Sequence, residues 1–74
     1  MTTRVDRSIG ARVTGNIRKL LKAKGWTQEE ISKRSEVDKG NLSRYFNGSR
    51  DYTLLALSRI SEALDVDIVE LLKK

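Results

Sequence analysis

Four times along this 74-residue chain an apolar residue precedes a Thr or Asp, and a second apolar residue follows five positions after the first. The sets are Trp26-Thr27 with Ile31, Val37-Asp38 with Leu42, Tyr52-Thr53 with Leu57, and Val66-Asp67 with Leu71. Each set marks a helix start. The Thr or Asp oxygen accepts from bare first-turn amides, and the apolar pair staples the entering chain to the first turns. In two sets Glu30 and Glu70 stand where a capping box wants them, so their carboxylates are expected to reach back to the amide of the cap; at Asp38 the box is incomplete, with Asn41 in that place. Starts so closely spaced leave room only for short helices. No run alternates as a strand would, and Pro is absent.

Upstream of the first cap, Ile9, Val13, Ile17, Leu20 and Leu21 fall at helical spacing, with Arg12, Arg18, Lys19 and Lys22 outside the stripe. Gly10 and Gly15 weaken its early turns by about 1 kcal/mol each against Ala, and Gly25 should end it. Residues 1–8, which include Arg4 and Arg7, lack the stripe and read as a flexible basic N-terminal arm. The third helix should start near Lys39 and stop at Asn47-Gly48, a favourable C-terminal pair. The fourth should turn Leu54, Leu57, Ile60, Ala63 and Leu64 inward, and the last should run through Leu72. The expectation is an all-α, compact five-helix domain over residues 9–74.

The charge is uneven. The net value is +5, from 15 Lys and Arg against 10 Asp and Glu, and the surplus of cations lies in residues 1–24 while residues 51–74 carry a slight acidic excess. A basic field of this kind suits a polyanion. With neither Cys nor His, and with no clustered carboxylate pair, the usual acids, bases, nucleophiles and metal ligands of an active site are missing, so an enzyme fits poorly and no cofactor or metal is implied. No apolar run approaches the roughly 20 residues of a membrane span. A cytoplasmic protein is the default.

Residues 27–48 then read as two short helices meeting at a tight turn, a helix-turn-helix, in which the first helix braces on the DNA backbone and the second enters the major groove. On that second helix Lys39, Gly40, Ser43 and Arg44 follow the i, i+1, i+4, i+5 spacing of one face, with Leu42 and Phe46 toward the core. Lys39 and Arg44 can donate to guanine O6 and N7, Ser43 can donate or accept, and Gly40 permits close backbone approach. Asn41, at the edge of the face, can bond adenine or phosphate. Plain surface charge is the other reading of Lys39 and Arg44. Asp38 reads as a cap rather than a base reader, Trp26 as core, and Tyr45 either as partly buried or as a phosphate ligand. Arg4, Arg7 and Arg12 add contacts along DNA or form an ordinary basic tail.

In IRKLLKAKGWTQEEISKRSEV, LSRYFNG and LSRISEALDVDIVELL the chain resembles the phage-repressor (Cro-like, XRE) helix-turn-helix family of lambda-repressor-like DNA-binding domains. The order and spacing of Gly25, Gln28, Ile31, Leu42, Gly48, Ala63, Leu64 and Leu71 carry the resemblance. It implies that Gln28, and with it Thr27, bonds a phosphate at the helix N-terminus, and that Asn47, Ser49 and Arg50 hold the backbone beyond the reading helix. Alternatively Gln28 is a solvated first-turn residue. Two departures stand out. Leu21 and Phe46 occupy places where the family usually has Arg and Glu, which implies that a packing contact replaces an ion pair. Glu36 occupies the turn position usually held by Gly, which often takes positive φ, so either the turn differs here or Glu36 carries strain.

The leading functional expectation is a sequence-specific double-stranded DNA-binding transcriptional regulator, a repressor of phage or mobile-element type. It would form a homodimer on a near-palindromic site, with residues 68–72 as the candidate interface unless they close the monomer core. No small-molecule ligand is implied. The competing expectation is a protein-binding module, such as an antitoxin, in which DNA binding is secondary.

Overall fold

The computed structural model describes residues 2–74, and their side chains from Ile9 onward. Five helices follow in order: α1 (Thr2–Lys24), α2 (Gln28–Ser35), α3 (Lys39–Asn47), α4 (Leu54–Leu64) and α5 (Ile68–Leu72), with no strand among the described residues. The bounds of α1 extend N-terminal of the Ile9 stripe. The contacts expected of Arg4 and Arg7 lie outside the described side chains.

All four caps form. Thr27 Oγ1 accepts from the Glu30 amide at 3.1 Å, and Asp38 Oδ2 from those of Gly40 and Asn41 at 3.0 and 3.2 Å. Thr53 Oγ1 accepts from Ala56 at 3.0 Å and Asp67 Oδ1 from Val69 at 3.1 Å. The expected return bonds from Glu30 and Glu70 do not. Their carboxylates turn instead to cations about one helical turn on, Arg34 Nε at 2.6 Å and Lys73 Nζ at 2.9 Å, where the attraction of a full charge outweighs that of one solvated amide.

Helix ends are equally explicit. Gly25 and Gly48 adopt φ of 72° and 83°, and the carbonyls they free are taken up by following amides: Trp26 N bonds Leu21 O at 2.9 Å and Ser49 N bonds Arg44 O at 3.0 Å. Two non-glycine residues do the same work under strain, Glu36 at φ 62° and Asp65 at φ 59°. Of the two readings of Glu36 the left-handed one holds, and the positive φ at Asp65 was not foreseen.

One core joins the elements. Val13, Ile17 and Leu21 of α1, Ile31 of α2, Val37 of the turn, Leu42 and Tyr45 of α3, Ala56, Leu57, Ile60 and Leu64 of α4, and Leu71 of α5 are buried in it. α1 packs on α5 and α3, while α2 packs on α4 and α3. Asn16 closes the far end: its Nδ2 donates to the carbonyls of Leu71 and Lys73 at 2.8 and 2.6 Å, holding the last turn of α5 against α1.

Two burial expectations need correction. Leu54 does not point inward but is 79% exposed, with Leu55 beside it at 62%. The cap at Thr53 sets a helix phase that turns Ala56, Leu57, Ile60 and Leu64 to the core, leaving Leu54 on the flank of the stripe. Trp26 is half-buried rather than core. It lies at the edge where α1 ends, with the Arg34 guanidinium 4.3 Å and the Lys24 ammonium 5.1 Å from its ring centroid.

Candidate nucleic-acid interface

The angle between α2 and α3 is set by hydroxyls. Ser35, buried, donates to the Ile31 carbonyl at 2.6 Å and accepts from the Val37 amide at 3.2 Å, and Ser32 Oγ donates to the Val37 carbonyl at 2.6 Å. No buried side-chain polar atom is left without a partner among the described residues. Glu36, in its left-handed conformation, also brings Oε1 within 3.6 Å of Arg59 Nη1 on α4. Sequence spacing located the turn but gave no hint that two serines hold it.

Anchored by this turn, α3 buries Leu42 and Tyr45 and leaves Lys39, Gly40, Ser43 and Arg44 exposed. The four residues read from spacing as one face are thus all open to solvent. Tyr45 resolves toward burial: its ring stacks on that of Tyr52 with centroids 4.8 Å apart. The Tyr52 hydroxyl in turn shares a 2.8 Å hydrogen bond with Thr14 on α1. Burial pushes the Tyr52 phenol above its ordinary 10.0, against the opposing pull of the Thr14 bond and the Arg18 charge. Lys39 Nζ lies 3.8 Å from Glu29 Oε2 across the angle between the two helices, a loose and exposed pair.

Asn41, half-buried, uses Oδ1 to accept from Arg44 Nη1 at 3.3 Å and from Arg50 Nη1 at 2.9 Å. Asn47 and Ser49 build the loop itself, since Asn47 Oδ1 accepts from the Ser49 amide at 2.9 Å and its hydroxyl at 2.7 Å. Thr27 commits its oxygen to the cap of α2. Gln28 is half-buried in a surface hollow of about 410 Å³ that it shares with Arg18, Lys22, Trp26, Leu21 and Phe46.

That hollow sets Leu21 and Phe46, already paired by the family pattern, beside Arg18 and Lys22, which sequence reasoning had not linked to them. Leu21 is buried and Phe46 half-buried there, and the guanidinium of Arg18 lies over the Phe46 ring at 4.9 Å. Both apolar residues line the same hollow, and the cation lies over the Phe46 ring. Arg18 and Lys22 stand four apart on α1, one above the other on the helix face beside the start of α2, so their place next to Gln28 was available from spacing once α1 is set against that start. Arg12, half-buried on α1, is not among the residues of this hollow. Cations therefore stand at three places along the pair: Arg18 and Lys22 beside the N-terminus of α2, Lys39 and Arg44 on α3, and Arg50 in the loop beyond.

Residues 17–71 match the helix-turn-helix family. Over 59 residues the chain is 39% identical to an uncharacterised HTH-type transcriptional regulator, y4dJ, of Sinorhizobium fredii, across 80% of this chain and 77% of that one. Over 55 residues it is 29% identical to the competence pilus inhibition repressor of Acinetobacter baylyi, across 74% of this chain and half of the repressor's length. Among solved structures, the restriction-modification controller protein C.AhdI of Aeromonas hydrophila superposes with a TM-score of 0.77 at 27% identity, covering 84% of this chain and 94% of that one.

Proposed function

The chain belongs to the helix-turn-helix family, and from that premise we propose that this DNA-binding transcriptional regulator is sequence-specific and acts as a repressor of the phage or mobile-element kind. The observation that carries the reading is the exposed face of α3. Lys39, Gly40, Ser43 and Arg44 combine two cations with two small residues, which lets the helix backbone come close to base edges while the long side chains reach them. Phosphates are held at the ends of the pair: Gln28 and the first amides of α2 on one side, with Thr27, Arg18 and Lys22 near, and Arg50 with the Asn47–Ser49 turn on the other. Repression is supported by the Acinetobacter relative, itself named a repressor.

A single short reading helix specifies few base pairs, so the regulator acts as a homodimer on a two-fold site. The last helix supports this in part. Leu71 is spent on the monomer core, but Val69 and Leu72 remain 55% and 40% exposed, and apolar side chains of that exposure suit contact with a second copy.

A mobility-shift assay against duplexes selected from a random library, run at two salt concentrations, tests the function. The proposal expects one enriched sequence, affinity that falls steeply with salt as counterions return, and loss of the preference in Arg44→Ala. Salt-sensitive binding with no sequence preference, or no binding, would sink it in favour of a protein-binding module.

A further inference from the structure

Asn41 sits at the centre of a side-chain network on the exposed side of α3. Its Oδ1 accepts from two guanidinium groups, Arg44 Nη1 at 3.3 Å and Arg50 Nη1 at 2.9 Å. Two donors converging on one end of the amide fix which end faces them. Arg50 reaches Asn41 because its backbone is stitched to the same helix: the Arg44 carbonyl accepts from the amides of Ser49 and Arg50 at 3.0 and 3.3 Å and from Ser49 Oγ at 3.4 Å. Gly40 lies alongside, where a Cβ would crowd the Asp38 carboxylate at 3.1 Å but stand at ordinary contact distance, 4.0 Å, from Arg44 Nη1. Among the described residues neither arginine makes an ion pair.

This arrangement changes what Asn41 is able to read. Recognition of adenine by Asn uses both ends of the amide, Nδ2 donating to N7 and Oδ1 accepting from N6. Here Oδ1 already serves two cations, and Nδ2 alone finds the same N7 acceptor on adenine and guanine. The two arginines have the opposite need: like charges gathered on one neutral oxygen are completed by acceptors from outside, such as a guanine edge for one and a phosphate for the other.

Resting on the proposed DNA-reading role of α3, we infer that Asn41 is a positioning residue that yokes Arg44 to Arg50. Arg44 meets the edge of a guanine while Arg50 holds the adjoining phosphate, and the shared Asn41 oxygen makes the base preference of one depend on the backbone contact of the other.

The test compares two duplexes that differ at one base pair. Wild-type protein first enriches a sequence from a random library; failure to enrich any overturns the DNA-reading role itself. Arg44→Ala then locates the guanine whose preference it removes, and absence of any such guanine overturns the yoke alone. The ratio of affinities for that duplex and for its adenine-substituted form is next measured for Asn41→Ala, Asn41→Asp, Arg50→Ala and the Asn41→Ala/Arg50→Ala double variant. Because it is a ratio, loss of folded protein cancels. Asn41→Ala and Arg50→Ala should each lower the guanine preference by about tenfold, the scale of a pair of charge-assisted hydrogen bonds. The double variant should lose no more than either single one. Asn41→Asp, which keeps the acceptor, should retain the preference while its added charge weakens binding to both duplexes. An unchanged preference in Asn41→Ala, additive losses in the double variant, or an adenine preference elsewhere that Asn41→Asp abolishes would each overturn the yoke.

Discussion

The two ends of this small domain use the same construction to opposite effect. α3 and α5 both begin at an Asp cap preceded by a Val, and both sink a single fully buried Leu, Leu42 or Leu71, into the common core. Around that anchor α3 exposes Lys39, Gly40, Ser43 and Arg44, whereas the α4–α5 end exposes Leu54, Leu55, Val69 and Leu72. Caps and anchors decide where a helix lies, and the residues left over decide what it meets. Cations interleaved with small residues suit a groove lined by phosphates and base edges; bare leucines on a locally acidic segment suit another protein surface.

Five variants, the last read through a pH titration, bear on that contrast, the largest effect first. Leu71→Ala should remove about 3 kcal/mol of stability, because it opens a cavity where the last helix meets α1 and α4; chemical denaturation reads it, and a loss near zero would mean that α5 is not part of the shared core. Val69→Asp with Leu72→Asp should leave the melting temperature close to wild type yet weaken self-association by about 2 kcal/mol, through the burial of unpaired charge. Sedimentation at several concentrations checks this. Arg44→Ala should do the reverse, costing roughly 1–3 kcal/mol of discrimination at one base pair with self-association intact. If either of these two variants altered both properties, the division of labour between the two ends would fail.

Smaller effects probe the frame that holds them. Glu36→Gly should raise stability by about 1 kcal/mol, since a left-handed conformation costs a side chain about that much; an unchanged midpoint would mean that the contact with Arg59 already offsets the strain. Tyr52 gives the last effect. Its phenol holds its proton more tightly folded than unfolded. Below pH 10 or so, both states are protonated and the group adds no pH dependence. Above it the unfolded state loses its proton first, so stability should fall as pH rises, and Tyr52→Phe should flatten that fall.

Helix starts were the most legible part of the chain, because a cap is a local transaction between one side chain and amides two or three residues on. Thr27, Asp38, Thr53 and Asp67 could be read without knowing the fold. The face of α3 was legible for a similar reason, as periodicity and one buried Leu fix its phase. What depended on contacts between distant residues was not. Asn16 closing α5, Ser32 and Ser35 setting the turn, and Arg18 lying over Phe46 each require knowing which helices touch. Leu54 was misplaced because spacing alone does not say where a stripe's flank ends. Among the candidate site residues, Asn41 changed most: its sequence position invited a base contact, while its bonds to Arg44 and Arg50 came only with the loop beyond Gly48.

If DNA meets the α2–α3 end, the leucine end stays free. An amide chemical-shift titration with a duplex carrying a single half-site tests it most directly, since one half-site seats one copy. Shifts are expected at Gln28, Gly40, Ser43, Arg44 and Ser49, with Leu54, Leu55, Val69 and Leu72 unmoved. Shifts gathered at those four leucine and valine amides, with α3 silent, would contradict it.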